Sequence, residues 1–147
     1  MYNCGGRTLM EEVLATIPQR PPFLFVDKII TREGNSITTQ RILREDEFYF
    51  QGHFPGNPIM PGVLLCEACF QTGAILMGAS NLPGLGVVTR IKDTKFKNFA
   101  RPGDTLTITV TLDDKIDNAF YMSGTIWIDD KLILKIIFQA ALLPPEN

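Results

Sequence analysis

From Ile59 to Ala79 the chain runs through 21 positions with one charged residue, Glu67, and this segment decides what the rest can become. It is long enough to span a bilayer, but an acidic residue near its middle opposes insertion by about 2.5–3.5 kcal/mol. Pro61, Gly62, Gly73 and Gly78 favour a lipid-facing helix no better. A helix apolar on nearly every side is otherwise the buried axis of a globular fold. We therefore expect no membrane span but a buried helix. It should begin at Pro61, where a missing N–H costs nothing, run to about Ala79 and close at Asn81-Leu82-Pro83-Gly84.

The other segments must supply its wrapping. Thr8-Leu9-Met10-Glu11 is a capping box ahead of Val13, Leu14 and Ile17, so a short helix opens the chain and stops at Pro18. Residues 23–32 and 36–44 read as β-branched-rich strands across a Glu33-Gly34-Asn35 turn. After the buried helix, residues 85–99, 105–112, 120–128 and 132–142 are strand-like, separated by Arg101-Pro102-Gly103-Asp104, a polar stretch over 113–118, and Asp129-Asp130-Lys131. Clean alternation over 105–111 marks a strand with one wet face. Short connections favour antiparallel neighbours. The expectation is a single α+β domain over residues 1–147, an antiparallel sheet curled around one long helix.

Composition narrows the function. With 45% hydrophobic and 20% charged residues the chain is neither disordered nor low-complexity. A net charge of −2 argues against a nucleic-acid coat. Three cysteines, an odd number, argue against a secreted disulfide framework, and the first residues lack a basic-then-apolar signal; a cytoplasmic protein is expected. Cys66-Glu67-Ala68-Cys69 has C-x-x-C spacing, but a zinc site needs about four ligands, and only one further Cys and one His exist. Packed thiols and no metal are the better reading.

His53 is the only histidine, set in Gly52-His53-Phe54-Pro55-Gly56-Asn57-Pro58-Ile59-Met60-Pro61-Gly62-Val63. A lone His is more often structural. Here a stiff Pro/Gly loop holds the imidazole and delivers the chain into a helix N-terminus, whose free N–H groups can stabilise an oxyanion. Glu67 follows 14 positions later inside the apolar helix, where burial raises a carboxyl pKa and suits it to general acid work. The alternative is a Glu reaching solvent on a polar stripe with Gln71, one turn on. A base, an acid and N–H donors would together suit proton abstraction beside a carbonyl with loss of a hydroxyl.

This loop, continued by Glu67-Ala68 and Gln71, resembles the FabZ-type 3-hydroxyacyl-acyl-carrier-protein dehydratases. Residues 18–27, with Arg20 and Pro22-Phe23-Leu24, and Lys95-Phe96-Lys97 followed by Pro102-Gly103-Asp104, fit the same family in order. The resemblance runs from about Leu9 to Phe138. It implies a hotdog fold and a homodimer, alone or as one of three in a trimer of dimers, whose sites straddle the interface. His53 would be the base, Glu67 of the other subunit the acid, and Gly62 the N–H donor to the thioester oxygen, with Phe54 and Gln71 also at the substrate. It implies no resident cofactor, the substrate being carried on the phosphopantetheine of acyl carrier protein. Gln19 and Pro21 depart from the family's usual His and aromatic, and Val87 and Val88 stand where many members have an aromatic gate. These departures bear on acyl length.

Arg90, Lys92, Lys95, Lys97 and Arg101 against Asp93 give residues 90–101 a charge of +4, leaving −6 elsewhere. The segment is either the solvated face of an edge strand or a docking patch for the acidic carrier protein; an ordered aromatic platform for RNA is lacking. Two other functions compete with the dehydratase. A non-catalytic carrier-binding hotdog module should have lost His or Glu, and a hotdog thioesterase would not need this His loop with its acid.

Overall fold

A computed structural model describes Gly6, residues 8–78 and residues 84–146. The capping box forms as its spacing requires. Thr8 Oγ accepts from the Glu11 N–H at 3.1 Å, and Glu11 returns a carboxylate to the Thr8 N–H at 2.7 Å, opening helix α1 (Leu9–Leu14). The apolar run is helix α2 (Gly62–Gly78); its expected end at Ala79 and the turn after it lie outside the described residues. Neither described helix is long and apolar enough to cross a membrane.

Six strands form one antiparallel sheet in the order β1-β2-β4-β5-β6-β3. They are β1 (Lys28–Glu33), β2 (Ser36–Ile42), β3 (Leu85–Phe96), β4 (Thr105–Ile116), β5 (Ala119–Ile128) and β6 (Lys131–Leu143). Period-two burial lays one face of β4 and β5 (Leu106, Ile108, Val110; Phe120, Met122, Ile126) against α2, and the sheet curls around the helix. At Gly73 an added Cβ would lie 3.1 Å from both the Met122 sulfur and the Phe138 ring, so a larger side chain would force helix and sheet apart. Polar groups inside the contact are paired. The Thr39 and Thr72 hydroxyls meet at 2.8 Å, and Thr72 donates onward to the Ala68 carbonyl at 2.9 Å.

Apart from strand ends that differ by up to three residues, as at 97–99 and 43–44, the structure corrects the sequence reading in two places. Residues 23–27 are not strand, and β1 begins only at Lys28. The buried Phe25 N–H donates at 2.8 Å to Gln71 Oε1 of α2, and the Gln71 amide donates at 3.0 Å to the Phe23 carbonyl, so a helix side chain replaces a strand partner. Residues 113–116, read as part of a polar connection, belong to β4, which passes a bulge at 112–114 and turns at Asp117 (φ 54°). That end is exposed at every position from Asp113 to Ile116, wet on both faces, and so shows no alternation.

Strand β3 is the sheet's edge and is exposed along nearly its whole length, including Val88, Ile91 and Phe96. The basic run lies on and just beyond it.

Candidate active site

The His53 loop is closed at several points. A 3₁₀ turn (Phe48–Phe50) presents the Tyr49 carbonyl to the His53 N–H at 3.1 Å, and the Ile59 N–H donates to the His53 carbonyl at 2.8 Å. Phe54 and Asn57 exchange two backbone bonds at 3.0 and 2.9 Å, around Gly56 at φ 73°. From outside, the Met60 N–H donates to the Ala100 carbonyl and Arg101 to Asn57 Oδ1, both at 2.8 Å. The imidazole is held in turn, with Nδ1 2.8 Å from the Ile59 carbonyl oxygen. A carbonyl can only accept, so in the neutral ring Nδ1 carries the hydrogen and Nε2 keeps its lone pair. His53 is thereby set up as a base at Nε2.

A cavity of about 490 Å³ opens between this loop, the start of α2 and residues 96–99, lined by His53, Phe54, Gly62, Phe96 and Lys97 among others. In the first turn of α2, the Leu64 and Leu65 N–H groups both go to the Pro61 carbonyl. The Gly62 N–H meets no acceptor among the described residues, as the first N–H of a helix must unless something outside the helix caps it. The Phe96 ring lies so close over Gly62 that a Cβ there would approach it to 2.7 Å. The cavity thus combines a base, an open N–H and apolar walls.

Glu67 is elsewhere. Five residues along an α-helix is a turn of about 140° beyond a full circle, so Glu67 leaves α2 on a different side from Gly62. It lines a second cavity of about 320 Å³, whose other walls include Phe70, Val87, Val88 and Phe138. Burial raises its carboxyl pKa above the usual range, opposed by the 3.2 Å bond from the Gln71 amide, which favours the carboxylate. One protomer therefore brings His53, Gly62 and Phe54 together and keeps Glu67 apart.

Gln71, expected at the substrate, is wholly buried. Its amide is spent on Phe25, Phe23 and Glu67, so it anchors the 23–25 segment and orients the acid. Gln71→Leu orphans the buried Phe25 N–H and is expected to lower stability by about 1–3 kcal/mol in urea unfolding. With its bond to the carboxylate gone, the Glu67 pKa rises further.

Among the basic residues, Arg90, Lys92 and Lys95 are exposed on β3, Lys97 reaches the His53 cavity, and Arg101 braces the loop through Asn57. Sequence reasoning missed Phe99 as a cavity wall; Gln19, singled out there with Val87 and Val88, lines the Glu67 cavity beside them, its Oε1 buried without a partner among the described residues. Cys66 and Cys69 are free and buried, and burial pushes both thiols up, away from the reactive thiolate.

The family model described as FabA-like domain matches residues 17–137. A 3-hydroxyacyl-[acyl-carrier-protein] dehydratase FabZ from Chloroflexus aggregans is 47% identical over 109 residues, 71% of this chain and 74% of the relative. The protein of the same name from Caulobacter vibrioides is 37% identical over 137 residues, covering 90% and 86%. Among solved structures, the dehydratase heterocomplex ApeI:P from Xenorhabdus doucetiae superposes with a TM-score of 0.80 at 16% identity, covering 96% of this chain and 94% of that one. The PaaI protein of Escherichia coli superposes at 0.64 and 16%, covering 77% and 80%. These two share the hotdog fold seen here, and the extent of the family match and the identity to the FabZ enzymes settle the membership: this chain belongs to the FabA-like family.

Proposed function

We propose that this chain is a 3-hydroxyacyl-acyl-carrier-protein dehydratase of fatty-acid biosynthesis, converting (3R)-3-hydroxyacyl thioesters to trans-2-enoyl thioesters. The observation that carries the chemistry is the His53 imidazole, fixed with Nε2 free in the same cavity as the unpaired Gly62 N–H.

The thioester carbonyl oxygen accepts from the Gly62 N–H, which stabilises the charge that builds there as a proton leaves C2. Nε2 takes that proton, and the C2–H electron pair becomes the C2=C3 bond. The C3–O bond breaks, and protonated Glu67 supplies the proton with which the hydroxyl leaves as water. Because His53 and Glu67 line different cavities of one protomer, the acid at each site comes from the second subunit of a homodimer. The long, exposed β3 edge with its apolar side chains supports such pairing, since an edge of this kind is a template for a second chain.

A panel of 3-hydroxyacyl and enoyl thioesters on carrier protein, followed by mass spectrometry, tests the reaction. Loss of water from the first and its addition to the second are expected; release of free acid would instead make the chain a thioesterase.

Edge pairing engages the β3 backbone and leaves its side chains on the sheet's faces, so the cations of β3 are the proposed dock for the acidic carrier protein. Lys97 borders the reacting cavity, so the test uses Lys92 and Lys95, which stand clear of it. Reversing both to Glu is expected to lower kcat/KM for carrier-borne substrate about tenfold, through steering that acts on association. Short soluble thioesters should be turned over as before, and salt should reproduce the loss by screening. Equal loss on both substrates would refute docking there.

A further inference from the structure

Met77 is among the walls of the cavity that Glu67 lines. Glu67, Phe70, Ala74 and Met77 follow at spacings of three and four along α2, a single stripe of the helix, and all four line this cavity. Behind it lies another cavity of about 220 Å³, which shares Gln19, Ala74, Met77 and Gly86 with the first but does not reach Glu67 or Phe70. Two spaces with four walls in common are neighbours, and Met77 is among the residues between them. Met77 is buried, and a Cβ built on Gly86 of β3 would lie 3.3 Å from its terminal methyl. The thioether therefore bridges helix and edge strand where the two spaces divide. Met77 belongs to the buried core cluster, and a methionine, unbranched and soft, is suited to filling a gap between two such elements.

We infer that Met77 is the end wall that fixes the longest acyl chain the site accepts, an inference that rests on the dehydratase reading above. The helix itself supplies the ruler. At 1.5 Å per residue, Ala74 stands about 10 Å and Met77 about 15 Å along the axis from Glu67. A saturated chain of about 1.5 Å bonds at tetrahedral angles advances roughly 1.25 Å per carbon. Glu67 acts at the C3 hydroxyl, and the chain end must stop about 3.5–4 Å short of the thioether. Roughly nine carbons then fit beyond C3, giving a limit near twelve. Ala74, its methyl partway along the same stripe, marks where a bulkier side chain would shorten the channel.

The test measures kcat/KM on 3-hydroxyacyl thioesters of four to eighteen carbons for the parent, Met77→Ala and Ala74→Leu. A second arm measures binding of saturated acyl pantetheine thioesters, which have no hydroxyl to lose, over the same lengths by calorimetry. In the parent both readings are expected to fall at least about tenfold once the chain exceeds the pocket. Met77→Ala should open the rear cavity and move that fall to chains about four carbons longer, with the shortest substrates unaffected. Ala74→Leu should move it to shorter chains. The proposal is overturned if Met77→Ala leaves the limit in place while short substrates still react, or if Ala74→Leu leaves it unshortened. Should no hydroxyacyl thioester react at any length while binding keeps the length limit and its shifts, the reaction fails and the wall stands. A parent whose binding shows no length limit removes the wall whatever the reaction.

Discussion

His53→Ala and Glu67→Gln are each expected to cut dehydration by about 10²–10⁴ with fold and assembly retained, the usual weight of a positioned acid or base. The reasons differ. Removing the imidazole takes away Nε2, the proposed acceptor of the C2 proton, while the loop keeps its backbone closures at Tyr49, Asn57 and Ala100. Glu67→Gln keeps the shape and an oxygen for the Gln71 amide but has no proton to give. The acid also carries a pH signature. Because burial raises the Glu67 pKa, its protonated, active form persists above the usual carboxyl range, and activity falls as pH climbs through the raised value. Stability follows the same sign. A carboxyl with a raised folded-state pKa contributes fully below its unfolded pKa and loses that contribution as pH rises through the folded one. Glu67→Gln should thus be at least as stable as the parent in mildly alkaline buffer, judged by thermal unfolding, so that lost turnover there cannot be blamed on lost fold. Turnover within a few-fold of the parent for either variant would refute its role.

The fold was legible where a segment had one physical option. A run of twenty-one positions with a single charge has to hold an enclosed helix if it does not span a membrane, and strands with one wet face announce themselves by alternation. Residues 23–27 were misread because their partner is an amide 46 positions from Phe25, and no local pattern records that a glutamine will stand in for a strand. Gln71 itself was seen as a neighbour of Glu67 by its spacing, but spacing does not say what an amide is spent on. The last turns of β4 were missed for the opposite reason: with both faces in water, nothing in their composition separates strand from loop. At the site, the His53 loop was readable from its Pro and Gly content, and Glu67 stood out by its misplacement in an apolar helix. What a count of 14 positions cannot convey is direction. Glu67 turns away from the cavity that holds His53, because the five helical residues from Gly62 carry it about 140° round α2.

That divergence yields the other large expected effect, recovery of activity from two dead proteins. His53→Ala and Glu67→Gln, unfolded together and refolded, should form heterodimers in which one site pairs the intact His53 of one subunit with the intact Glu67 of the other. The second site lacks both groups. Random pairing makes half of the dimers mixed, so roughly one quarter of all sites regain both residues, against a background lower by orders of magnitude. The converse mixture excludes trivial explanations. When the double variant His53→Ala, Glu67→Gln is refolded with an equal amount of parent, a shared site predicts mixed dimers with no complete pair, and activity falls to about one quarter of that of an all-parent sample. A site built within one subunit predicts no recovery in the first mixture and about one half in the second. The two arrangements thus differ in opposite directions across the two mixtures, and mass spectrometry of the refolded dimers confirms that the mixed species formed. Mixed dimers that stay inactive in the first experiment would refute the shared site, and the acid for His53 would then have to be sought within its own chain.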